Sequence, residues 1–209
     1  MAATGLALFL FAVVHMIGNL QLFLGPEALN RYAHFLQSNP ELLWPSRAIL
    51  FAAVVVHILT SINLTIKNRL ARPQGYRVKE LVGASWASRT MIVTGGLLAV
   101  YVVYHIMQFT TGSIDPNLMT LVEPVTGHHD VYRMVVIGFS NPLNSAGYIL
   151  AMGFLCLHLS HGVGAAFQSL GLKNQLYEAR IKRCSHAVAC LLFVGYSIAP
   201  LSIVLGWVK

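Results

Sequence analysis

Four histidines, His15, His57, His105 and His158, each stand alone near the middle of a different hydrophobic stretch. Imidazole offers one nitrogen to a metal and a second to a hydrogen-bond partner. An ionisable ring at the depth of a bilayer is costly unless something occupies it, so each is a functional candidate. Four of them in a chain of 209 residues point to a buried metal cofactor held by rings from several helices.

The elements that must position these rings follow from composition. With 56% hydrophobic and 10% charged residues and a mean hydropathy of +0.65, the chain has more apolar side chains than a water-soluble core can hide. A hydrocarbon layer of about 30 Å needs helices of roughly 20 residues. The apolar runs predict five such spans, about 4–24, 47–66, 90–110, 145–167 and 186–207. The expected fold is all-α, one transmembrane domain over 1–209, with spans I to IV forming a four-helix bundle around the cofactor. The first run has no basic segment ahead of it and carries His15, Asn19 and Gln21, which reads as a retained span rather than a cleaved signal peptide. Cys156, Cys184 and Cys190 form no CxxC pair and suit packing better than disulfides or iron–sulfur ligation. No phosphate-binding glycine motif and no Ser/His/Asp order stands out.

Basic residues set the orientation. Lys67, Arg69, Arg72, Arg77, Lys79 and Arg89 lie between spans II and III, and Lys173, Arg180, Lys182 and Arg183 between IV and V, leaving Arg31, Arg47, Arg133 and Lys209 elsewhere. The positive-inside rule puts both basic loops and the N-terminus in the cytoplasm and Lys209 outside. The net charge of +7 needs no nucleic acid, since a collar against anionic lipid or a docking face for a soluble partner accounts for it.

Depth then sorts the histidines. At 1.5 Å per residue, His15 and His105 lie roughly 18 and 22 Å above the inner boundary, and His57 and His158 roughly 14 and 10 Å above it. Two pairs at two heights are what two stacked haems require, each iron held by imidazoles from two helices. An internal repeat supports the pairing: Met1, Thr4, Gly5 and His15 recur as Met91, Thr94, Gly95 and His105 at a constant offset of 90. Thr4 and Thr94 are expected on the same face as their histidines and roughly 16 Å further in, at the level of the inner pair. Taken singly, Thr and Gly at these positions are explained by close helix packing. Spans II and IV repeat only weakly, His57-Ile-Leu-Thr60 against His158-Leu-Ser160-His161. Of the two histidines on span IV, His158 matches the depth of His57, and His161 is read as a polar neighbour. His34, His128, His129 and His186 fall in loops or at a span edge, and His128-His129-Asp130 lacks a third well-placed ligand for a metal of its own.

These residues resemble the single-polypeptide, five-helix type of di-haem cytochrome b that anchors succinate dehydrogenase and fumarate reductase. The marks are Thr4-Gly5 with His15 and Gly18-Asn19-Leu20, Asn30-Arg31-Tyr32-Ala33, Arg47 with His57, Ser88-Arg89 with Thr94-Gly95 and His105, and His158-x-Ser160-x-Gly162. The resemblance covers nearly the whole chain. It implies a prokaryotic cytoplasmic-membrane anchor carrying two haem b, His15 and His105 on the outer iron and His57 and His158 on the inner. It further implies a flavoprotein and an iron–sulfur subunit on the cytoplasmic face, electron exchange with a quinone such as menaquinone, and a complex able to assemble further.

Candidate haem surroundings are Trp86, Ser88, Arg89, His161 and His186 on the inner side and Arg47 on the outer, arginine being suited to a propionate. Asn19, Glu27, Tyr32, His34 and Trp44 are candidates for quinone contacts. No Asp or Glu lies within a predicted span, which leaves no carboxylate relay across the bilayer. The rival readings are a di-haem anchor for another quinone-linked dehydrogenase, a transmembrane ferric or ascorbate-type reductase, a transporter relaying protons through its histidines, and a passive anchor. The related reductases commonly place two ligands on each of two helices, whereas here each of four helices carries one. A transporter would be favoured by helices broken near the midplane, whereas the prolines (Pro45, Pro142, Pro200) lie near span ends.

Overall fold

The computed structural model describes residues 1–71 and 85–209, so Arg72, Arg77 and Lys79 of the basic loop lie outside the described residues. Among the described residues eight α-helices follow one another: α1 (Ala2–Asn19), α2 (Pro26–Gln37), α3 (Pro40–Leu70), α4 (Trp86–Arg89), α5 (Met91–Phe109), α6 (Val131–Ser140), α7 (Pro142–Ser169) and α8 (Glu178–Val204). Among the described residues there is no β-strand, only an isolated bridge between Val122 and His129. Among the described residues five segments are long and apolar enough to cross a membrane: Ala2–Leu24, Pro40–Leu70, Met91–Phe109, Pro142–Ser169 and Glu178–Val204.

Predicted spans I, II and IV fall inside these segments, which run on beyond them, whereas span III overshoots Met91–Phe109 by one residue at each end and span V runs past Val204 to 207 after starting eight residues beyond Glu178. α3 begins at Pro40 rather than near 47, because Pro40 supplies a ready first-turn φ where no N–H is missed, and Pro45 therefore sits within the helix. α7 starts where Asn141 caps it, the side-chain oxygen accepting from the N–H groups of Leu143 and Asn144 ahead of Pro142 at the first position. Polar and charged residues extend α3 and α8 past the apolar runs, into the region where chain and solvent can satisfy them.

Four helices form a square whose perimeter runs α1, α3, α5, α7 and back to α1. On this plan α1 stands diagonal to α5, and α3 diagonal to α7. α8 lies outside the square and packs most extensively on α7. Small residues make that contact close, Ala189, Ser185 and Ser202 being almost fully buried beside Leu192, as expected where helices associate by van der Waals packing. Tyr196 of α8 donates to the Ala12 carbonyl of α1 at 2.7 Å. By contrast none of the residues of α3 is buried.

The end of the bundle reached by the C-terminus of α1 is closed by α2 and α6, which pack on each other. Buried Asn30 donates to Asp130 Oδ1 at 3.0 Å and accepts from the Tyr132 N–H at 2.8 Å. Asp130 in turn caps α6 through the Arg133 N–H, a carboxylate at the positive end of a helix. At the opposite end Lys173 pairs with Glu178 at 2.8 Å. A solvated pair of this kind adds little stability.

Candidate functional site

His15 and His105 face each other across one diagonal of the square, with ring centroids 5.9 Å apart and planes at 80°. His57 and His158 face each other across the other diagonal, at 6.4 Å and 63°. All four rings are half-buried, so neither pair is sealed by surrounding side chains. A metal bonded to two imidazoles at about 2 Å, each ring centre about 1 Å behind its nitrogen, sets centroids roughly 6 Å apart. Direct N–H···N hydrogen bonding at about 2.9 Å would draw them to about 5 Å.

The repeated Thr-Gly pairs lie against the second pair. Thr4 Oγ1 is 3.3 Å from His57 Nδ1, and Thr94 Oγ1 is 3.2 Å from His158 Nδ1. A threonine hydroxyl has one proton to give. Thr4 donates it to the Met1 carbonyl at 2.9 Å, and Thr94 donates to the carbonyls of Thr90 and Met91. Each hydroxyl therefore accepts from an Nδ1–H, which assigns the proton to Nδ1 and leaves the Nε2 lone pair for a ligand, as in metal sites where the distal nitrogen is held by an outer partner. Gly5 and Gly95 allow this approach: a Cβ there would stand 3.2 Å from His57 Cε1 and 3.3 Å from His158 Cε1.

The first pair is held differently. Tyr148 donates to Gln108 Oε1 at 2.8 Å, so it accepts from His105 Nδ1 at 3.3 Å and fixes the same tautomer. His15 has no hydroxyl in that role. Its ring stacks on Phe11 at 5.3 Å and lies 6.2 Å from the Tyr196 ring. Because Thr4 lies eleven residues before His15 on α1, the two pairs are separated by roughly 16 Å along the helix axis.

No family model, curated protein or solved structure matches this chain. What the site can hold is therefore judged from its own donors. Among the described residues no group of three or more His, Cys, Asp or Glu could hold a metal ion, so two imidazoles are all that each position offers. That set suits an iron already carrying four equatorial nitrogens, with a ring from each side completing the coordination, and it does not suit a bare tetrahedral zinc.

The other predicted residues are distributed more loosely. Trp86, Ser88 and Arg89 lie on α4, which ends five residues before Thr94 of α5, with Trp86 and Arg89 exposed. His161 lies one turn beyond His158 and half-buried, and His186 binds the Lys182 carbonyl on exposed α8 surface. Arg47 is exposed and its guanidinium lies over Trp44 at 5.1 Å. Exposed Glu27 pairs with Arg31 at 3.6 Å, and exposed His34 stacks on His128 at 3.7 Å. Tyr32 rests its ring on Gly18, while Asn19 folds back to the His15 carbonyl at 2.9 Å. His129 binds the Leu121 carbonyl at 3.0 Å. Sequence reasoning missed Tyr148 and Gln108. The only signal was two polar side chains near the outer ends of otherwise apolar spans, forty residues apart.

Proposed function

We propose that this chain is the cytochrome b membrane anchor of a succinate:quinone oxidoreductase, the respiratory complex II type, in a prokaryotic cytoplasmic membrane. The observation that carries the reading is the pair of imidazole couples, each spanning a diagonal of the bundle, with three of the four Nδ1–H groups held by hydroxyls whose own protons are spent elsewhere.

His15 and His105 would hold one haem iron and His57 and His158 the other. Bound there, the two haems supply one-electron relays between a cytoplasmic iron–sulfur subunit and membrane quinone. Succinate gives up two electrons and two protons in becoming fumarate, and the quinone takes up two of each. The chain's own residues orient the rings, keep Nε2 unprotonated through Thr4, Thr94 and Tyr148, and flank the couples with apolar side chains. Held tautomers cost the ligands no reorganisation at the moment of electron transfer. The exposed basic residues at the inner ends of α3 and α8, Lys67, Arg69, Arg180 and Arg183, are the face for the iron–sulfur and flavoprotein subunits, with the N-terminus cytoplasmic and Lys209 outside.

The test is a reduced-minus-oxidised spectrum with haem quantitation on the purified full chain. Two b-type haems per chain are expected. Zero overturns the assignment.

A further inference from the structure

A cleft of 440 Å³ opens on the outside of the square between α5 and α7, within the roughly 300–1,000 Å³ range of small-molecule sites. Leu97, Tyr101 and Tyr104 form one wall, and Asn144, Tyr148 and Phe154 the other. At its lips Val100, Leu143 and Leu150 are among the most exposed apolar side chains of the chain. The mouth thus faces hydrocarbon, so an occupant arrives dissolved in lipid.

Its outer end is polar. Tyr104 donates to Asn144 Oδ1 at 3.0 Å, leaving its lone pairs to accept. Asn144 donates one amide proton to the Gly138 carbonyl and keeps a second. Asn141, whose oxygen is taken by the Leu143 and Asn144 N–H groups, also lines this end with an amide to donate. The site can therefore give a hydrogen bond to a carbonyl or take one from a hydroxyl. Its inner wall is Tyr148, the same tyrosine that holds His105 Nδ1.

We infer that this cleft binds the head group of a lipid-borne quinone, with the ring between the tyrosines, a carbonyl or hydroxyl at Tyr104 and Asn144, and the tail leaving between α5 and α7. A phospholipid acyl chain would fill the apolar part and leave the amides unused. The inference rests on the cytochrome reading for the choice of quinone, and it assigns that ligand to residues other than Glu27, Tyr32 and His34.

Gly147 and Gly153 of α7 provide the test, because a Cβ at either meets nothing within 4 Å, and only Gly147 lines the cleft. Fluorescence titration of the detergent-solubilised full chain with 2-heptyl-4-hydroxyquinoline N-oxide, a quinone head-group mimic, measures occupancy, and haem content is measured on the same samples. Gly147→Phe is expected to weaken binding about tenfold or more by filling the cleft, and Gly153→Phe to leave it within about twofold. Tyr104→Phe, which keeps the ring, is expected to weaken binding about fivefold through the lost hydroxyl. Wild-type affinity in both Gly147→Phe and Tyr104→Phe, or no binding by the wild-type chain, overturns the proposal. Binding sensitive to Gly147 in a chain without haem overturns the cytochrome assignment while supporting the cleft. Two haems with binding insensitive to Gly147 does the reverse.

Discussion

The two imidazole pairs use the same residues differently. In the inner pair both rings are held alike, His57 by Thr4 and His158 by Thr94, each beside a glycine one residue on. In the outer pair His105 leans on the Tyr148–Gln108 couple and His15 on the face of Phe11. An Nδ1–H given to an oxygen makes the imidazole a stronger donor to a metal. Under the proposed cytochrome reading, two equally held rings and one held ring opposite a stacked one would therefore give the irons they hold different electron affinities. A chain that repeats itself in sequence thus departs from its repeat at the couple of His15 and His105, and under the proposed cytochrome reading an iron held there would be the easier to reduce.

The largest effect that can break this comparison is ligand removal. His57→Ala and His158→Ala are each expected to lower haem content from two to one per chain and to abolish the same spectral component, while His15→Ala and His105→Ala abolish the other. Loss of different components by the two members of a pair would undo the diagonal pairing.

Outer partners come next. Thr4→Val and Thr94→Val are each expected to loosen the inner haem by about 10–100-fold without touching the outer one, and Tyr148→Phe to loosen only the outer. Haem retention during dilution, followed by absorbance, separates them. Gly95→Ala then asks how close the approach is. A Cβ at 3.3 Å from His158 must push that ring by a few tenths of an ångström, so the electron paramagnetic resonance signal of the inner haem should shift and the outer one should not.

Phe11→Ala removes only the stack on His15 and is expected to cost about 0.5–1.5 kcal/mol in thermal stability of the loaded chain. Smallest of all, Glu27→Gln and His34→Ala change solvated side chains with local partners. They are expected to move stability within about 0.5 kcal/mol, and a tenfold loss of quinone-analogue binding in either would return the quinone to the outer surface near α2.

Much of this arrangement was legible in the residues. One histidine per apolar stretch, its depth from either end, and the Thr-Gly repeat led to the same two couples that the coordinates bring within 6.4 Å, and the expectation that Thr4 and Thr94 reach the inner level agrees with their contacts. Helical rise and periodicity carry that information locally. Partners brought together by the fold were not legible: Tyr148 with Gln108, or Asn30 with Asp130 across about a hundred residues. α2 and α6 also escaped, because a search for stretches long enough to cross hydrocarbon passes over short helices lying at its edge. Span ends moved for a related reason, since prolines and asparagine caps, rather than the limit of apolarity, decide where α3 and α7 begin.

The square also has a bearing on how the chain matures. One hairpin, α1 with α3, contributes a single ring to each couple, and the other hairpin, α5 with α7, contributes the opposing one. Under the proposed cytochrome reading neither half would complete a site alone, and each porphyrin would act as a rivet joining the halves. On that reading loading and assembly would be coupled, and without haem the halves would be joined by the packing of α1 on α7 and α3 on α5.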